Sequence, residues 1–281
     1  MIQHFVGLCT LVATISTMGC VSAYPEPTQP LTFSPVIELP QALEETSGLF
    51  CTDNGLYTLN DSGNEANVFA LSYSGQIQRT LSLNLTNNDW EAITGDDDFL
   101  YVADVGNNKG KRQRVRVYRV ARNNKNDIKT YTLTYTGNNP QSNMAYAHDY
   151  DSEAMLAHNG ELLMFSKSWR TGVGKVYKIR DDENQALSPF AEITGLPGVI
   201  TGVDFDSTRA LYVVVGYKSD PFGNFSTFIA QLDSAFKPIN IWPLEQYKQV
   251  EGVCVDAAGD YWFSEEATEG RKASLTRARL Q

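Results

Sequence analysis

Three glutamates, Glu91, Glu153 and Glu251, open copies of one short phrase: a small or acidic residue, a largely apolar triplet, a turn, and a second apolar run ending in polar residues. Ser47 and Thr201 open two further copies, so the phrase returns every 44 to 62 residues. If each copy folds back as a hairpin, its first residue meets the end of its own second run. That pairs Ser47 with Asn60 and Asp61, Glu91 with Asp104, Glu153 with Ser166 and Lys167, and Glu251 with Ser264 and Glu265. Carboxylates gathered in a narrow space repel one another, so the group either holds protons at unusually high pH or recruits a cation. An oxygen-only set suits Ca2+, whereas structural zinc wants Cys and His. The plainer reading is that strand ends are polar because they are wet, each Glu capping backbone N–H groups of its own hairpin.

A repeat of this period matches a four-stranded propeller blade. Its strands are short, rich in Val, Tyr, Leu and Phe, and punctuated by turns such as Thr52–Gly55, Tyr73–Gly75 and Asp256–Gly259. No window shows sustained helical periodicity. The expectation is an all-β single β-propeller of five blades, with six as the alternative if the long interval from Glu91 to Glu153 hides another. Residues 251–281 are too few for four strands, and residues 31–39 have no repeat of their own. A strand from the N-terminus is therefore expected to join the last blade and cover an open edge.

Inner strands surround the axis, so the paired residues should converge on one mouth. Glu91, Glu153, Glu251, Asp104, Asp61 and Glu265 would crowd there, with Lys167 the obvious cation. The fourth copy departs by offering Thr201 and Val215, an asymmetry that could instead shape an organic-ligand pocket beside Thr201 and Tyr217. Cys51 and Cys254 lie one step out of phase in the first and last copies, so their side chains can point toward the shared seam. Either they form a disulfide there, as an exported protein permits, or they are two buried thiols.

The 281 residues carry a net charge of −10, which argues against nucleic acid or an anionic membrane surface as electrostatic partner. Only three histidines occur. His148, expected near the mouth, is the candidate general base; His158 sits at a hairpin turn on the opposite end. No Gly-x-Ser-x-Gly elbow or His-Glu-x-x-His motif is present. The basic stretch Lys109–Arg122 alternates Arg with Val, as a solvated strand would, or else docks an acidic partner.

Residues 1–20 contain no Asp, Glu, Lys or Arg and read as a signal peptide with an apolar stretch from Phe5 to Ile15. Thr17-Met18-Gly19-Cys20 resembles a bacterial lipobox, with Cys20 as the lipidated residue, although Thr stands where Leu is usual. Val21-Ser22-Ala23 offers a rival cleavage site and a soluble secreted product. Val21 after the Cys implies outer-membrane sorting, so the chain is expected to be periplasm-facing or at the cell surface, touching membrane through its lipid alone. Residues 21–30 read as a Pro-rich tether and 31–281 as the propeller domain, expected to be monomeric.

Glu44–Leu49, Asn60-Asp61-Ser62-Gly63-Asn64, Asp89-Trp90-Glu91-Ala92-Ile93 and Asp104-Val105-Gly106-Asn107-Asn108 resemble the recurring phrases of secreted bacterial propellers. They are similar to the SdiA-regulated (YjiK-like), esterase-like-phytase and NHL-type propellers of the TolB-like group, most clearly over residues 44–120. The resemblance implies an axial Ca2+ held by Glu, Asn and Asp, here matched by Asn60, Glu91, Asp104, Glu153 and Glu251. It implies either a binding or scaffold module or a metal-dependent hydrolase of esters, lactones or phosphoesters. In the hydrolase the metal would polarise the substrate oxygen and His148 would act as base.

Overall fold

Tight turns between short apolar strands divide the chain into five antiparallel sheets in sequence order; the computed structural model describes residues 24–220 and 222–281. Two N-terminal strands, β1 (Leu31–Phe33) and β2 (Ile37–Glu38), lead into a 3-10 turn at Gln41–Leu43. The first sheet is β3 (Thr46–Thr52), β4 (Gly55–Asn60), β5 (Asn67–Leu71) and β6 (Ile77–Ser82). The second is β7 (Trp90–Gly95), β8 (Phe99–Asp104), β9 (Val115–Ala121) and the long β10 (Asn124–Tyr135). The third holds β11 (Ser152–His158), β12 (Glu161–Ser166) and β13 (Gly174–Ile179). Next, β14 (Asn184–Leu187) crosses back to pair in parallel with β10, and β15 (Ala191–Ile193) completes the third sheet. The fourth is β16 (Val199–Asp206), β17 (Leu211–Ser219), β18 (Phe225–Leu232) and β19 (Pro238–Pro243). The fifth is β20 (Val250–Val255), β21 (Tyr261–Glu265) and β22 (Ser274–Leu280), with β1 and β2 both paired to β22.

The leading strands β3, β7, β11, β16 and β20 touch one another in cyclic order, which makes the molecule a five-bladed β-propeller. Each gap between neighbouring sheets is filled by its own apolar cluster. Between the first two blades, for example, Leu59, Val68 and Leu81 meet Trp90, Ile93 and Val102. The six-bladed alternative is excluded among the described residues. The extra length between Glu91 and Glu153 goes instead into β10 and a loop over 136–151. Within the basic stretch, Arg112 pairs with Asp104 and Arg119 with Asp181.

Every inner strand carries a β-bulge near its start. The register skips Glu91 in β7, Glu153 in β11, Thr201 in β16 and Glu251 in β20. A bulge leaves one residue unpaired and re-aims its side chain, so the opening residue of these four phrases leaves the sheet face. In β3 the skipped residue is Gly48, at φ +68, where a Cβ would come within 2.7 Å of the Ile93 nitrogen on β7. Ser47 therefore stays in register, and its hydroxyl donates to the Glu91 carbonyl at 2.8 Å.

Cys20 and the 1–20 segment lie outside the described residues. The end of the expected tether is held: Thr28 N–H donates to Asn240 and the Trp242 indole to the Gln29 carbonyl. Cys51 on β3 and Cys254 on β20 form a disulfide across the first and last blades, 203 residues apart in sequence. A loop this long carries large closure entropy, so Cys51→Ser should lower unfolding free energy by about 2–4 kcal/mol. Denaturant titration without reductant measures this; an unchanged midpoint would show that the covalent seam adds nothing.

Candidate functional site

Where the inner strands end, a cavity of about 200 Å3 is lined by Asp61, Glu91, Glu153, Lys167, Tyr217 and Glu251, joined by Glu266, Asn108, Gln249, Tyr146 and Trp169. Glu91, Glu153 and Glu251 come from three bulges and are 3–5% exposed. Asp61, Lys167 and Glu266 each stand one residue past the end of a second strand, β4, β12 and β21. Tyr217 comes from β17. The Lys167 ammonium is 3.0 Å from Glu153 Oε1 and donates to the Tyr217 hydroxyl at 3.1 Å.

Burial dominates the electrostatics of this group. It pushes Glu153 up to about 7 and Glu251 up to about 8, partly offset in both by the Lys167 charge. Glu91 is held well above the usual carboxylate range by burial and then by Glu153. Glu266 reaches about 9 through burial, with Glu251 and Asp61 adding to it. Burial opposes the charge on Lys167, but Glu153, Tyr217, Glu251 and Glu91 together outweigh it and keep the ammonium protonated. Glu91 Oε1 and Glu251 Oε2 are buried and accept no hydrogen bond.

On one side of the cavity, Asp61, Asp89 and Glu91 each offer an oxygen within 4.8 Å of the others. Gly106 makes that approach possible. A Cβ there would fall 2.1 Å from Glu91 Oε1 and 2.6 Å from Asp89 Oδ2. Carboxylate oxygens are the donor type Ca2+ takes, and these three would supply part of its six to eight ligands.

Five expected residues are turned elsewhere. Asp104 is fully buried and accepts from Arg112 at 2.6 Å and Asn88 at 2.7 Å, pinning the loop after β8. Asn60, the last residue of β4, donates from its side chain to the Ala42 carbonyl. Glu265, still within β21, accepts from Lys248 N–H at 2.6 Å and from Arg271 at 3.2 Å. Thr201 donates to the Val250 carbonyl, joining the fourth and fifth inner strands. His148 is buried, with Nδ1 accepting from Tyr150 N–H and Nε2 facing the Asn108 carbonyl, so both ring nitrogens serve the loop. For Asp104, Asn60 and Glu265 the reason is position: each is the last residue of its strand, and the residue one step beyond, as at Asp61 and Glu266, is the one that reaches the cavity.

Trp169, Tyr146 and Glu266 were not expected here. Trp169 is fixed by its indole N–H donating to Asp151 at 2.8 Å, and Asp151 also accepts from Asn107 N–H at 2.6 Å. Tyr146 stands edge-on to Trp169, ring centroids 5.2 Å apart. Only Glu266 had a sequence signal, the residue after a strand end in the fifth copy, matching Asp61 and Lys167.

The raised carboxyls set the sign of a pH dependence. Their folded values lie above the ordinary 4.5, so the folded chain holds extra protons and the stability they contribute is lost as pH rises through about 7 and 8. Asp204, raised by burial to about 7, acts in the same direction. The melting midpoint in EDTA should therefore fall between pH 5 and pH 8, with a shallower fall in Glu251→Gln. Equal slopes in the two proteins would remove Glu251 from the account.

No family model matches the chain, and no curated protein matches it. Among solved structures it is similar to a glucose dehydrogenase, with TM-score 0.52 and 8% identity over 87% of this chain and 99% of that one. It is also similar to an α-L-arabinofuranosidase from Podospora anserina in complex with cellotriose, with TM-score 0.51 and 10% identity over 92% and 99% of the two chains. A luciferin-regenerating enzyme aligns with TM-score 0.50 and 10% identity over 88% and 97%. At such identities these likenesses are of fold, and the fold they share is the propeller.

Proposed function

We propose that this chain is an exported binding module whose axial mouth takes a cation, with Ca2+ seated by Asp61, Asp89 and Glu91. The observation that carries the reading is the buried acceptor Glu91 Oε1, which lies with Asp89 Oδ2 against Gly106 and has no hydrogen-bond partner among the described residues. A buried polar atom left without a partner costs free energy, and a bound cation removes that cost. Ca2+ would neutralise the carboxylates and offer open coordination positions to a ligand oxygen. Gly106 keeps the cradle open, and Lys167 fixes Glu153 on the far side. Attachment to the outer membrane through Cys20, facing the periplasm or the cell surface, accords with the apolar leader and with a disulfide, which persists in oxidising compartments. We propose a monomer that meets the membrane through its lipid.

The hydrolase alternative is the weaker reading. It needs a base in the mouth, and His148 is committed to the 144–151 loop. The binding reading needs only the charge and the space already described.

Melting the protein in EDTA and then with Ca2+ tests the proposal. At a hundredfold excess over its dissociation constant a single ion should add about 2.7 kcal/mol, which is several degrees for a domain of this size. Glu91→Gln and Gly106→Ala should each abolish the shift. A wild-type midpoint indifferent to Ca2+ would sink the metal site.

A further inference from the structure

The geometry points to a primary ammonium group, carried by a small amine, as the organic ligand of this mouth. The inference deepens the cation-binding reading, on which it rests, by naming what sits beside the metal cradle. Five carboxyl groups line the cavity, Asp61, Glu91, Glu153, Glu251 and Glu266, against one ammonium, Lys167. A phosphate or carboxylate ligand would meet a single ammonium there, already paired with Glu153. The buried glutamate atoms without partners, Glu91 Oε1 and Glu251 Oε2, are both acceptors. The ligand must therefore bring N–H donors as well as positive charge. A primary ammonium has three; a quaternary one has none.

Lys167 shows how such a group is received here. Its Nζ lies against Glu153 and the Tyr217 hydroxyl, 4.9 Å from the Trp169 ring centroid and 5.2 Å from that of Tyr217. Carboxylate beneath and aromatic faces around form the usual environment for an alkylammonium. Glu251, Glu266 and Tyr146 line the same cavity and offer a second set of carboxylates with an aromatic ring. Tyr146 is 59% exposed and held at φ +54, a backbone conformation that costs an aromatic residue energy. Its amide donates to the Asn108 carbonyl, and its ring meets Trp169 edge-on. Trp169 and Tyr217 also form part of the wall of an adjoining hollow of about 490 Å3, lined by Ser168, Thr171 and Thr194, which has room for the body of the amine.

Titration of the purified protein in EDTA with 1,4-diaminobutane, and separately with tetramethylammonium at equal ionic strength, tests the inference by calorimetry and by tryptophan fluorescence. The diamine should bind about tenfold or more tighter than the quaternary ion, and Glu251→Gln should weaken it by about tenfold. Tyr146→Ala, at an exposed position, should weaken it by about threefold with the melting midpoint retained. Equal affinity for the two probes, or diamine binding unchanged in both variants, would overturn the inference. A parallel Ca2+ titration without amine separates the two readings. A Ca2+ shift with no diamine binding keeps the metal cradle and overturns the amine; diamine binding with no Ca2+ shift supports the amine and removes the metal.

Discussion

Five strands share one axis, and each must bring its bulge close to the bulges of its neighbours. That constraint places Glu91, Glu153 and Glu251 side by side, although each lies 50 or more residues from the next in sequence. Water is largely excluded from them, and among the described residues Lys167 is the one cation lining the cavity, so their protons are held far above the usual range. The acidic floor is thus a product of ring geometry. No local segment of the chain could produce it alone.

The ring is also kept asymmetric. Where the phrase opens with a hydroxyl residue, the side chain ties neighbouring inner strands together. Ser47 does so between the first and second blades and Thr201 between the fourth and fifth. The acidic openers Glu91, Glu153 and Glu251 line the axial cavity instead. Residue type at the phrase opener therefore separates fastening the ring from charging its mouth, while the Cys51–Cys254 bond fastens the seam between last and first.

Much of this could be read from the chain. The repeat period indicated blades, and the phrase openers Glu91, Glu153 and Glu251 were legible because a bulge recurs at that place in four of the five inner strands. Asp61 and Lys167 followed from the hairpin geometry. Asn60, Asp104 and Glu265 did not behave as expected because one residue of offset separates a ladder position from a free one, and hairpin spacing alone does not resolve it. Glu266 was missed for the same reason. Tyr146 and Trp169 lie in connections that do not repeat, and their placement depends on Asp151 and Asn108, contacts that no periodicity reports. His148 had the right neighbourhood and the wrong role, since a histidine beside a mouth can equally be part of the frame that shapes it.

The extra residues between the second and third inner strands have a further meaning. The loop over 136–151 gives the cavity one lining residue, Tyr146, whereas Glu91, Glu153 and Glu251 come from the bulged strands. Tyr146 is exposed, whereas His148, Asp149 and Asp151 of the same loop are buried and hold its frame, so the exposed part of the loop can vary while that frame stays. What the mouth presents to solvent would then diverge at an exposed tip, with its buried base left as an anchor.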